Sequence, residues 1–400
     1  RQLLPRPPLL GFLHFETGIH PEFIEPDSSD ASAAPLEVGF PCTVNGIIRR
    51  PGERDRYAIR LRQGQTVVAQ VSARRLGSPL DALLRVTGPG GEGIAANDDH
   101  DDPASGLLTH HADPRVEFTV PADGLYQVEI ADTQGRGKRG FAYRCTIAPP
   151  AQGFSLRVTP SALSGRAGAL VPLTAHIIRH DGFTGEVDLS LTEPPPGFAL
   201  VGGKIPAGAD TVQFTLKLPG NASPGVTPLR LAGSARIGDR TVRRAAQPAD
   251  DRMQAFFYRH LVPADELLAC VTARANAPNR AKPGLAALDR IRPLCAAGVK
   301  LPSGGSATLV IPRPVSKEAP RELVFSLVNP PPGITLATTA EPNRITLRFS
   351  ADNRAKPGPL GNLIVEVAAR PPRAPKGAAA KPFKIGTLPP IPCRITAGGG

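Results

Sequence analysis

The sequence predicts an all-β protein built as three consecutive antiparallel β-sandwiches. Three observations carry that class. Forty-six Pro and 41 Gly among 400 residues interrupt any long helix. Yet 41% of residues are apolar, too many for a chain that stays disordered. The apolar residues, mostly Val, Leu, Ile and Ala, fall in short alternating runs with turn residues between them, the pattern of half-buried strands.

Residues 1–36 read as a linker, Pro-rich at first, then acidic, ending in "PDSSDASAAP". From Phe40 the pattern changes. "CTVNGII", "DRYAIRLR", "QTVVAQVSA", "DALLRVTG", "RVEFTV", "LYQVEIAD" and "FAYRCTIA" alternate like strands, separated by turns such as "RRPGER" and "PADG". They predict one sandwich over residues 37–150. "APPAQG" marks the next boundary. "FSLRVTP", "LVPLTAHIIR", "GEVDLSLT", "DTVQFTLKLP" and "TPLRLAGSARIG" then form a second all-β unit, residues 151–247. Residues 248–295 read as a connecting segment, and residues 296–400 as a third sandwich.

Units two and three repeat one another. "VDLSLTEPPPGFAL" (187–200) returns as "LVFSLVNPPPGITL" (323–336), and "VQFTLKLPGNASPGVTPLRLAG" is similar to "ITLRFSADNRAKPGPLGNLIVEV". A strand-built repeat of this length predicts a tandem immunoglobulin-like array. Successive prolines hold an extended turn, and the glycine after them permits reversal into the next strand.

The net charge of +12 is unevenly spread. Residues 151–400 carry 31 basic and 16 acidic residues. The arginines mostly alternate with apolar residues, as in "YAIRLRQ" and "RITLRFS", which puts them on the solvent face of strands. No basic-aromatic motif of a nucleic-acid module is present, so no nucleic-acid partner is expected. No apolar run approaches the ~18 residues that span a membrane. The chain starts at Arg1, not Met, and is read as a mature or truncated piece.

Residues 37–150 resemble the bacterial pre-peptidase C-terminal domain, a secreted jelly-roll-like sandwich. "VNGIIRRPGERDRYAIRLRQGQTVVAQVSA", "SPLDALLRVTGPGGEGIAANDD" and "DPRVEFTVPADGLYQVEIAD" carry the resemblance as an ordered set. Residues 151–400 resemble the immunoglobulin-like modules that follow such domains in large bacterial secreted and surface proteins. The resemblance implies an accessory role beside peptidases or other exported proteins, and no catalysis by the module itself. It places the protein outside the cytoplasm: secreted, periplasmic or at the cell surface.

The acidic stretch "NDDHDD" (97–102) is the sharpest candidate site. Asn97, Asp98, Asp99, Asp101 and Asp102 offer the oxygens that Ca²⁺ takes, and Asp81 and Asp113 join if their strand ends meet the loop. A divalent cation would relieve repulsion between such close carboxylates. The rival reading is a solvated turn. Zinc is a second metal reading, through His100, His110 and His111, although adjacent residues on a strand point to opposite faces.

Catalytic motifs are missing: no GxSxG, no HExxH, no phosphate loop. Cys270 and Cys295 lie in no Cys/His signature. His176 and His180 read as structural histidines. "FFYRHLVP" (256–263) reads as an interdomain joint rather than a sugar platform. Of five cysteines, Cys42 and Cys145 flank the first sandwich, whose terminal strands often run side by side. A bridge there would stabilise by up to ~4.7 kcal/mol in the loop-entropy account. Cys270 with Cys295 is a weaker pair, leaving Cys393 free.

The expected function is therefore non-catalytic: adhesion, substrate targeting or scaffolding by a monomer that contacts an extracellular protein or polysaccharide. The alternative is a carbohydrate-binding accessory region of a secreted enzyme whose catalytic domain lies elsewhere.

Overall fold

A computed structural model describes residues 2–5, 12–26, 34–101, 110–253, 259–272, 285–313, 322–370 and 382–397. Asp102 and the aromatic patch Phe256, Phe257 and Tyr258 lie outside them. The described chain is nearly all strand, with one α-helix among the described residues. It divides into two compact units, residues 1–151 and 152–400.

The first unit runs β1 (Gln2–Pro5), β2 (Phe12–Phe15), β3 (Glu22–Ile24), β4 (Leu36–Val38), β5 (Cys42–Ile47), β6 (Arg54–Leu61), β7 (Thr66–Ser72), β8 (Ala82–Thr87), β9 (Gly93–Asn97), β10 (His100–Asp101), β11 (His110–His111), β12 (Arg115–Thr119), β13 (Gly124–Asp132) and β14 (Ala142–Ala148). Two five-stranded sheets, β12-β7-β14-β5-β3 and β4-β6-β13-β8-β9, share one core. Alternation builds that core: Tyr57, Ile59 and Leu61 of β6 and Tyr126, Val128 and Ile130 of β13 all point inward.

The acidic end of the expected linker is part of this fold. Strand β3 adds to the edge of β5, and β4 to the edge of β6, both in parallel. These runs are only three residues long, too short to stand out by periodicity.

The second unit begins with β15 (Gly153–Thr159), β16 (Ala162–Arg166), β17 (Leu170–His180), β18 (Val187–Thr192), β19 (Ala199–Val201), β20 (Lys204–Ile205), β21 (Thr211–Lys217), β22 (Gly225–Ile237), β23 (Arg240–Met253), β24 (Arg259–Pro263) and β25 (Leu267–Thr272) around one core. Strand β25, inside the expected connecting segment, pairs with β22 and β16 and buries Leu267, Ala269 and Val271. A second core gathers α1 (Leu285–Ala296), β26 (Val299–Pro302), β27 (Ser306–Pro312), β28 (Glu322–Leu327), β29 (Ile334–Ala340), β30 (Arg344–Ala351), β31 (Gly358–Leu363), β32 (Val365–Arg370), β33 (Phe383–Thr387) and β34 (Ile391–Thr396).

The two PPPG tracts occupy the same place in their sandwiches. Residues 194–197 join β18 to β19, and residues 330–333 join β28 to β29. Strand β18 pairs with β22 and β19 with β21; β28 pairs with β32 and β29 with β30. Each tract follows a residue at positive φ, Glu193 (49°) and Asn329 (43°), and ends in a left-handed glycine, Gly197 (81°) and Gly333 (78°). The residue after each glycine donates its N–H to the second proline: Phe198 to Pro195 O at 3.2 Å, Ile334 to Pro331 O at 3.1 Å. Asn362, 7% exposed, ties one sandwich to the other by donating to Gly202 O (2.8 Å) and Gln213 O (2.7 Å).

Candidate functional site

Several of the expected calcium ligands make other contacts. Asp113, fully buried, accepts from the N–H groups of Ala73 (3.0 Å), Arg74 (2.7 Å) and Arg75 (3.1 Å) and from Arg75 Nε (2.8 Å). It anchors the 3-10 turn Arg74–Leu76. Asp81 accepts from Thr133 Oγ1 (2.8 Å) and Gln134 Nε2 (3.5 Å). Asn97 spends both ends of its amide: Nδ2 donates to Asp99 O, and Oδ1 accepts from Arg115 N. Asp98 Oδ1 accepts the N–H of Asp99. Asp101 pairs in register with His110, and His100 with His111.

Among the described residues, the carboxylates that converge are others. Oxygens of Glu25, Glu53 and Asp55 lie within 4.8 Å of one another, and none of Asp81, Asp98, Asp99, Asp101 or Asp113 is in that group.

The triad forms from three local features. Glu25 follows β3; its Oε2 accepts from Ile47 N (3.0 Å) and Arg49 Nη1 (2.9 Å). Glu53 sits in the turn before β6; its Oε2 accepts from the N–H groups of Arg49 and Arg50 at 2.5 and 2.6 Å. Asp55, 5% exposed, accepts from the Tyr143 hydroxyl, which also pairs with the Tyr57 hydroxyl. Burial is the largest influence on Asp55 and raises its pKa. The Tyr143 hydrogen bond works the other way. Glu25 and Glu53 add to the rise, leaving the carboxyl at about 8. Hydroxyl, guanidinium and backbone donors reach one oxygen of each carboxyl, and the triad reads as a proton-sharing cluster.

Sequence reasoning missed Glu25, Glu53, Tyr57 and Tyr143. One signal was present. Gly46 interrupts the strand "CTVNGII", and the Tyr143 ring occupies the space a side chain there would need. A glycine inside a strand marks such a close approach.

The cysteines are free thiols. Strand register explains why the expected Cys42–Cys145 bridge is not formed. Cys145 stands opposite Val44 and Cys42 opposite Ile147, so the two are diagonal neighbours. Diagonal Cα atoms lie about 7–8 Å apart, beyond the ~5.5–6 Å a bridge prefers. Burial pushes the Cys42 and Cys393 thiols up to about 11 and Cys295 to about 12, so they act as small apolar groups rather than nucleophiles.

Two hydroxyl–imidazole pairs lie across β15 and β17: Ser155 Oγ with His180 Nε2 at 2.7 Å, and Thr159 Oγ1 with His176 Nε2 at 3.1 Å. A serine nucleophile also needs donors for an oxyanion. Strand β15 lies between β17 and β23, with its backbone engaged in both ladders. Burial lowers the His176 pKa, keeping that imidazole neutral. The pairs work as cross-strand clips.

Comparison with known proteins finds sequence similarity to a protease over part of the chain. A 108-residue stretch is 31% identical to a Deinococcus radiodurans protein described as "Probable subtilase-type serine protease"; it covers 27% of this chain and 14% of that protein. No family model matches the chain. Among solved structures, a marsupial T cell receptor is 10% identical over 59% of this chain and 100% of its own, with a TM-score of 0.18, too low to carry an argument.

Proposed function

We propose that the chain is a non-catalytic, exported accessory region that works beside a secreted protease, tethering it to a protein substrate or to the cell envelope. The observation that carries this is the similarity of 108 residues to a subtilase-type protease, joined to a chain built of sandwiches. Two features support it. The hydroxyl–imidazole pairs bridge β15 and β17, whose backbones are paired along Gly153–Thr159. The second unit presents arginines such as Arg230, Arg236 and Arg243 on solvent-facing strand positions, a surface suited to anionic material. The proposal does not invoke calcium.

Co-sedimentation of the full chain with insoluble fibrous proteins and isolated cell envelopes tests the reading. Retention on at least one of them, with no soluble peptide released, is expected. Recovery of the chain wholly in the supernatant from all of them would overturn it.

A further inference from the structure

The segment Glu16–Pro26 lies along the open edge of β5 as a strap. Beyond the β3–β5 ladder, backbone bonds hold it at either end: Thr43 N to Pro21 O and Glu25 N to Asn45 O, both 2.9 Å. Side chains do the rest. Glu22 accepts from Arg144 Nη2 (2.8 Å), Arg144 Nη1 (3.0 Å) and Asn45 Nδ2 (3.0 Å). Phe23 packs on the core, whereas Ile19 and Ile24 face solvent. An element fastened by few apolar contacts belongs to the low-stability end of a fold.

One fastening depends on a proton. Glu25 brings its carboxylate against Asp55 and Glu53. Three such groups cannot all be ionised in a buried seam without strong repulsion. The proton count closes if Tyr57 donates to Tyr143, Tyr143 donates to Asp55 Oδ2, and Asp55 turns its own proton toward Glu25. Around this group stand Glu25 and Arg49 from the strap side, Glu53 from the turn, Tyr57 from β6, and Tyr143 from β14, with Cys145 near Tyr57. Strand β13 presents Ile130 opposite Asp55.

We propose that the strap is a proton-controlled latch: it stays on the β5 edge while Asp55 carries a proton shared with Glu25, and it lifts when that proton leaves. Lifting uncovers the β5 edge together with Arg49 and Arg144. The direction follows from linkage. Asp55 is protonated up to about 8 with the strap in place. Without Glu25 beside it, Asp55 ionises at lower pH. The docked form therefore binds the proton more tightly. Docking weakens as pH rises toward that value and stops changing above it.

Hydrogen exchange of the full chain, read by mass spectrometry, tests the latch. Rates at about pH 5.5 and about pH 9 are compared after correction for intrinsic exchange. Protection over Glu22–Glu25 is expected to fall by about tenfold or more, since one pKa unit corresponds to a factor of ten. Peptides from β6 should keep theirs. Asp55→Asn mimics the protonated group and should hold the strap at both pH values; Glu25→Gln, which removes the repelling charge, should do the same. Strap protection that is flat with pH would overturn the proposal. So would loss of protection in β6 together with the strap, or an equal fall in both variants.

Discussion

Asp113 shows what a buried carboxylate does when every oxygen is used. Its partner Arg75 is only a quarter exposed, and three backbone N–H groups complete the shell. Removing one member of a buried pair costs about 3–5 kcal/mol, because the other is left uncompensated. Asp113→Ala should lower the stability of the first unit by that order in urea unfolding. Glu22 lies on the surface, and its sign is different from that of Asp55. Hydrogen bonds from Arg144 and then Asn45 bring its pKa down to about 2. A carboxylate depressed in the folded state stabilises above its ordinary pKa and loses that contribution as pH falls toward the folded value. Melting temperature should therefore drop between about pH 4.3 and pH 2, more steeply in the parent than in Glu22→Gln. Gly46 is the third residue that matters by what it lacks. Gly46→Ala would drive a methyl into Tyr143 and is expected to cost about 1–3 kcal/mol, as overpacking does, measurable by the same unfolding curves.

At the scale of elements, strands and turns were the legible part. Alternation is local, so "DRYAIRLR" and "LYQVEIAD" announce β6 and β13 without knowledge of their partners. The PPPG turns were legible for the same reason, since Pro and Gly act on their own dihedrals. Gly197→Ala and Gly333→Ala should each destabilise, because both glycines hold left-handed φ and a Cβ would meet Pro219 or Asp352. Register was not legible. It decides that Cys42 and Cys145 are diagonal neighbours. Two measurements follow. Unreduced, denatured protein should titrate five thiols, with fewer indicating a bridge. EDTA should leave the melting curve unchanged, whereas a drop would mean that the acidic turn closes on a metal.

For the whole molecule, the all-β class could be read from the chain, but the candidate cluster could not. Glu25, Asp55 and Tyr143 come from three elements far apart in sequence and meet only after two sheets close on one core. Dense acidic residues in sequence lie instead at 97–102, where Asn97 donates to Asp99 O and Asp98 accepts the Asp99 N–H. The proposed role is one of binding rather than cutting. Peptide release from fluorescein-labelled casein by the purified full chain tests that most directly. The account predicts release no greater than buffer alone. Release above buffer that disappears in Ser155→Ala would contradict it.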